Sequence, residues 1–138
     1  MTIYFRYSKH LKKKPAIAAP FIPIVLHGEK GPISFIGLLD SGADTMTRDV
    51  ANVLGLTVEK EENVCNGIGG PVKCARTIVF LSLDAPRAPW PVRCLVNVLL
   101  CDEENGPPIL IGRQGFFQHF DLTLRQTQQR IELKPVVV

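Results

Sequence analysis

One short stretch of the sequence carries the residue types that acid–base chemistry needs, and it is centred on Asp40. The apolar run 35–39 leads directly into Asp40-Ser41-Gly42-Ala43-Asp44. Gly42 and Ala43 leave room for a substrate backbone to approach a carboxylate closely. The hydroxyl of Ser41 can lock the turn through a hydrogen bond. The pattern therefore predicts a strand that delivers one accessible carboxylate onto a tight turn.

Two other interpretations of this stretch have to be weighed. Asp-Ser-Gly alone is weak evidence, because these residues are common in ordinary β-turns. An apolar run directly before the triplet and Ala-Asp directly after it are much rarer, and this context favours a functional Asp40. We exclude a serine nucleophile at Ser41, since the sequence has neither a G-x-S-x-G elbow nor a histidine near it.

The elements that must position Asp40 are mostly strands. Apolar, β-branched segments cover 20–26, 33–39, 74–83 and 92–100, and shorter ones at 122–124 and 131–133 flank a turn at 126–129. Two short helices are expected. The first covers 47–54, capped by Thr47 and stopped by Gly55. The second covers 113–120, with three phenylalanines at helical spacing towards the core. The pattern predicts an all-β, closed barrel-like domain with one or two short helices.

Three motifs together resemble the retropepsins, the single-lobe aspartic proteases of retroviruses and their cellular relatives. Leu38-Leu39-Asp40-Ser41-Gly42-Ala43-Asp44 resembles their active-site sequence, and Ile109-Leu110-Ile111-Gly112-Arg113 resembles the segment before their C-terminal helix. Asn66-Gly67-Ile68-Gly69-Gly70 falls where the family has its glycine-rich flap tip. The first two motifs are specific, whereas a glycine run is equally typical of a plain hairpin. The resemblance covers about residues 21–133 and implies an acid-protease-like fold.

The resemblance implies a role for each matching residue. Asp40 would be the catalytic carboxylate, and Ser41 would bond across a dimer to the partner's backbone. Substrate contacts are expected at Gly42, Ala43, Asp44, Ile68 and Gly69. Gly112 and Arg113 would support the site, with an ion pair between Asp44 and Arg113; an exposed arginine at a helix start is the simpler alternative.

The C-terminal part departs from the viral pattern. Segments 121–124 and 130–133 predict a complete hairpin, as in the DNA-damage-inducible proteins of eukaryotes and in one lobe of pepsins. The sequence therefore does not decide which strands form a dimer contact, and the apolar tail 135–138 is one candidate.

The length of 138 residues suits one domain and leaves no room for a second lobe. Aspartic protease chemistry needs two carboxylates, and this chain has one such motif. The sequence therefore predicts a homodimer that acts on a peptide or protein substrate with an Asp40 from each chain, and needs neither cofactor nor metal. The alternative is a non-catalytic dimerisation or peptide-binding module with the same fold.

Charge is uneven along the sequence. The net charge is +3, but the first fourteen residues hold five basic residues and no acid, which leaves 11 basic and 13 acidic residues elsewhere. We expect residues 1–20 to form a basic N-terminal arm or leader and 21–138 to form the protease-like domain. No nucleic-acid partner is expected, because no basic stripe or aromatic platform recurs later in the sequence.

Cysteine spacing and hydropathy bear on the compartment. The cysteines lie at 65, 74, 94 and 101 without a C-x-x-C pair, which disfavours a zinc site. Cys65 and Cys74 bracket the flap candidate, so a redox-controlled disulfide between them is an alternative that the sequence does not decide. No signal peptide or membrane span is apparent, and we expect a cytoplasmic protein with free thiols.

Overall fold

A computed structural model describes residues 2–9, 18–40, 44–67, 70–86, 91–100, 109–113 and 115–136 of the chain. Among these residues, strands dominate, in agreement with the predicted all-β class. In chain order the strands are β1 (Ile3–Arg6), β2 (Ser8–Lys9), β3 (Ala18–Ala19), β4 (Phe21–Gly28), β5 (Gly31–Leu39), β6 (Thr45–Thr47), β7 (Glu62–Gly67), β8 (Gly70–Leu83), β9 (Val92–Leu99), β10 (Ile109–Ile111), β11 (Phe120–Arg125) and β12 (Arg130–Pro135).

The main sheet closes on itself. Its strand order is β4-β5-β10-β6-β9-β8-β7, and a further pairing of β4 with β8 joins the two ends into a ring. Most neighbours are antiparallel, but β10 runs parallel to β5 and β6 runs parallel to β9. Because a ring leaves few open strand edges, the closed arrangement protects an otherwise exposed sheet.

Alternating side chains explain why the ring has an apolar interior. Along β8, Ala75, Thr77, Val79 and Leu81 are buried, whereas Arg76, Ile78 and Phe80 lie on the outer face and are exposed. This is the two-residue period of a strand with one face on a core. The buried residues of β4, β6, β9 and β10 join the same cluster.

The first helix forms where the sequence predicts it. Helix α1 covers Arg48–Leu54, and the backbone N–H of Val50 donates to Thr47 Oγ1 at 3.4 Å. Gly55 has a φ of 70°, the left-handed conformation that glycine adopts easily at a helix end. Leu54 is fully buried and attaches the helix to the core.

The second predicted helix, at 113–120, is wrong in extent. The described residues of this segment hold only a 3-10 helix at Phe116–Gln118, and β11 has already begun at Phe120. Phe116 and Phe120 are buried and stack with ring centroids 4.8 Å apart, while Phe117 is partly buried. The aromatic spacing marked the core correctly, but one turn is enough to bring these rings together.

A second sheet packs against the same core. It has the order β1-β12-β11, and Ile3, Ile131 and Leu133 from it belong to the main apolar cluster. The C-terminal hairpin of β11 and β12 is therefore confirmed. The boundary at residue 20 stays a prediction, but residues 3–6, on the arm side of it, pair with β12 as part of the fold. No helix in the described residues is long and apolar enough to cross a bilayer.

Candidate active site

Asp40 follows directly on β5, where that strand pairs with β10. Its backbone N–H donates to the carbonyl oxygen of Ile111 at 2.8 Å. Leu39 beneath it is buried, whereas Asp40 itself is partly exposed. β5 thus ends in a buried residue and delivers Asp40 to a partly exposed position, and a second strand, 71 residues later in the sequence, fixes its backbone.

Asp44 lies on the other side of the turn and points inwards. Its side chain is buried, and Oδ1 accepts a hydrogen bond from the backbone N–H of Gly112 at 2.7 Å. Its carbonyl oxygen accepts from the N–H of Asn97 at 3.0 Å. Asp44 therefore ties the residues after Asp40 to β9 and to the segment after β10. Its predicted contact with a substrate stays a prediction.

The surroundings of Asp44 are apolar. It lines an interior cavity of about 10 Å³ together with Met46, Cys94 and neighbouring aliphatic residues. Such a space holds at most about one water molecule. Burial, and secondarily the charge of Asp44, raise the pKa of the Cys94 thiol to about 12. Cys94 therefore stays a neutral thiol, and one oxygen of the Asp44 carboxylate is held by the Gly112 N–H.

The predicted ion pair between Asp44 and Arg113 does not form. Between described residues, ion pairs join Arg125 and Arg130 to Glu132, and none joins Arg113 to an acid. Arg113 is exposed, which is the simpler alternative named for it. The physical reason is that an arginine beside the buried Asp44 would lose the hydration of its guanidinium, which an exposed side chain keeps.

Several predicted site residues lie outside the described residues, namely Ser41, Gly42, Ala43, Ile68 and Gly69. Their roles stay predictions. The backbone on either side of the flap candidate is described: β7 and β8 form an antiparallel hairpin whose last pair is Gly67 with Gly70. A hairpin is thus present where the glycine-rich stretch predicts one.

The possible disulfide at this hairpin is not formed. Neither Cys65 nor Cys74 is in a disulfide, and the register pairs Cys65 with Val72 and Asn63 with Cys74. The two cysteines are therefore diagonal neighbours across the hairpin. Among the described residues, no three His, Cys, Asp or Glu side chains come together in a group that could hold a metal ion.

A larger groove, of about 430 Å³, lies away from Asp40. It is lined by residues 27–29, 56–57, 59, 76–78 and 95, and Asp40 is not among the lining residues.

Sequence reasoning selected Gly112 but missed two other supports of the site. These are the Ile111 carbonyl and the Asn97 backbone, and the only signal for the latter was one polar residue within the apolar run of β9. Almost every residue type carries the same backbone N–H and C=O groups, so only the strand register shows which of them support the site.

The ring of strands, the hairpin at Gly67 and the acid at the end of β5 define the class of fold: it is that of the retropepsin-like aspartic proteases. The chain is similar to a retropepsin-like aspartic protease from Rickettsia conorii, with a TM-score of 0.51, 15% identity, and coverage of 96% of this chain and 90% of that one. It also matches the EIAV protease in complex with an inhibitor, with a TM-score of 0.44, 22% identity, and coverage of 80% and 91%. No family model and no curated protein matches the sequence.

Proposed function

We propose that the chain is a homodimeric aspartic endopeptidase in which Asp40 from each of two chains activates one water. The observation that carries the proposal is the position of Asp40. It is partly exposed at the end of β5, its backbone N–H donates to Ile111, and Asp44 is anchored four residues later. The fold around it is the one that aspartic proteases use.

Two chains are needed because the chemistry uses two carboxylates. At about 3 Å, like charges cannot both ionise cheaply, so the pair holds one proton, as is known for the paired carboxylates of aspartic proteases. The ionised carboxylate takes a proton from the water, which attacks the scissile carbonyl carbon. The protonated carboxyl group donates to the oxyanion that develops. A twofold axis beside Asp40 would supply the second carboxylate from an identical chain.

The substrate would bind as an extended peptide. Such a peptide is held by backbone hydrogen bonds, and its side chains enter pockets on alternating sides. The β7–β8 hairpin would close over it, with Ile68 and Gly69 at the tip and the flanking glycines allowing the movement. Gly42 and Ala43 would line the floor of the cleft.

The second sheet offers strands for a dimer contact. β1 and β11 are its outer strands, so each leaves one edge without a strand partner within the described residues. Val136, next to β12, is 41% exposed, and it belongs to the apolar tail that is a candidate for the contact. A cytoplasmic location belongs to the same proposal, supported by Cys65, Cys74 and Cys94, none of which is in a disulfide.

The decisive test mixes active and inactive chains. Wild-type protein and Asp40→Asn are combined in equal amounts under conditions of subunit exchange, and cleavage of a peptide library is measured at mildly acidic pH. If each site needs two Asp40 residues, about a quarter of the dimers remain active; independent monomers would keep about half of the activity. Asp84→Asn, at an exposed acid, is the matched control and should not lower activity in the same mixture.

A pepstatin-like inhibitor should abolish the cleavage, and light scattering should show the active species as a dimer. Cleavage by pure Asp40→Asn, or by a monomer, contradicts the proposal. Stable dimers that bind peptides but cleave none under any condition would favour the non-catalytic binding module.

A further inference from the structure

Three arginines that are far apart in the sequence form one row on the outer face of the second sheet. The register pairs Arg6 of β1 with Arg130 of β12, and Arg130 with Arg125 of β11. Residues directly opposite each other in a sheet project to the same face, with neighbouring strands about 4.8 Å apart. The three arginines therefore lie on one face of three neighbouring strands.

Acidic residues neutralise this row only in part. Glu132 Oε1 accepts from Arg125 Nε at 2.8 Å and from Arg130 Nη2 at 2.9 Å. Arg6 is exposed and makes no ion pair with a described residue. Like charges directly opposite each other are unfavourable in a sheet. Two of the three guanidinium groups thus share one carboxylate, and the row keeps an excess of positive charge.

An exposed aromatic ring lies beside the row. Tyr4 pairs with Glu132 on the same face and is 58% exposed. The guanidinium carbon of Arg130 lies 5.4 Å from the centre of the Tyr4 ring. A ring held by a cation and open to solvent is the kind of surface on which a nucleic-acid base stacks.

We propose that this face, defined by Arg6, Arg125, Arg130 and Tyr4, binds single-stranded nucleic acid. The arginines would contact backbone phosphates, and a base would stack on Tyr4; sheet faces with exposed aromatic rings bind single strands in this way. An acidic peptide would satisfy the charges but would make no use of the ring. The sequence-based expectation of no nucleic-acid partner relied on the lack of a basic stripe, and the fold assembles such a stripe from separate segments.

The test is fluorescence anisotropy with a labelled oligodeoxythymidine of about 12 nucleotides, a length within the site size of single-strand binders. For three phosphate contacts, the slope of log K against log salt is about −2, so affinity falls about 20-fold between 50 and 200 mM salt. Arg6→Gln should weaken binding and reduce that slope by about 0.7, because one contact is lost. Arg48→Gln, at an exposed arginine of α1, is the matched control and should bind as wild type.

Tyr4→Leu distinguishes nucleic acid from a peptide. Loss of stacking should lower the affinity for the oligonucleotide about tenfold and leave the weak binding of poly-glutamate unchanged. Circular dichroism checks that each variant is folded. The proposal is overturned if poly-glutamate of equal charge displaces the oligonucleotide as well as unlabelled oligonucleotide does. It is also overturned if Arg6→Gln binds as wild type while replacement of Lys12, Lys13 and Lys14 by Gln abolishes binding.

Discussion

Replacement of Asp44 should separate its hydrogen bond from its charge. In Asp44→Ala, the buried N–H of Gly112 loses the acceptor that it has at 2.7 Å. A buried donor without an acceptor, formerly bonded to a charged group, costs about 3 kcal/mol. At about 2.1 cal/mol/K per residue, the unfolding entropy of 138 residues is about 0.3 kcal/mol/K, so the melting temperature should fall by about 10 °C.

Asp44→Asn is the informative companion, because its side-chain oxygen can still accept from Gly112. The variant loses only the added strength that the negative charge gives to this hydrogen bond. We therefore expect the free energy of unfolding to fall by about 1 kcal/mol and the melting temperature by about 3 °C. Peptide hydrolysis should follow the same order, since a displaced carboxylate at Asp40 can lower the rate about 100-fold.

The assay is calorimetry at matched protein concentration, with Asp84→Ala as the control for loss of an exposed acid. Equal melting temperatures for the Ala and Asn variants would refute the reasoning, because the hydrogen bond to Gly112 would then contribute nothing. A larger decrease in melting temperature in Asp44→Asn than in Asp44→Ala would refute the reasoning as well.

Three further outcomes follow from the structure. Hydrogen bonds from Arg125 first, and then from Arg130, hold the pKa of Glu132 below its usual 4.5, so this pairing stabilises the fold above that pH and is lost as pH falls through the lowered value. The difference in melting temperature between wild type and Glu132→Gln should therefore be present at pH 7 and should decrease as the pH falls below 4.5. The Cys94 thiol, with a pKa of about 12, should not react with a disulfide reagent at pH 8 until the protein unfolds, as a stopped-flow absorbance trace would show. Gly115→Ala should lower the denaturant midpoint, because the new Cβ would lie 2.7 Å from the Cα of Cys94, too close for either backbone to remain in place.

Local signals in the sequence predicted the local structure well. Thr47 and Gly55 lie directly at the two ends of α1, so the start and the end of this helix could be predicted from the sequence alone. The alternation along β8 and the apolar run into Asp40 are equally local, and both strands formed there. The second helix failed because phenylalanine spacing reports burial and not the number of turns.

Features that depend on strand register were not readable. The support of Asp44 comes from a backbone N–H, which no residue type announces. The arginine row unites residues 6, 125 and 130, which become neighbours only when β1 and β11 flank β12. Arg113 was paired with the wrong group because the resemblance supplied a partner, whereas Gly112 lies closer to the buried carboxylate.

The distance along the chain between Asp40 and its supports also orders events during synthesis. Asp44 and Gly112 are separated by 68 positions, so the chain must grow by 68 residues after Asp44 before Gly112 is present. Until then the carboxylate lacks the N–H from which it accepts, and long-range pairing of this kind forms slowly. The Asp44 side chain therefore reaches its final arrangement later than a hairpin such as β4–β5, whose strands follow each other directly in the sequence.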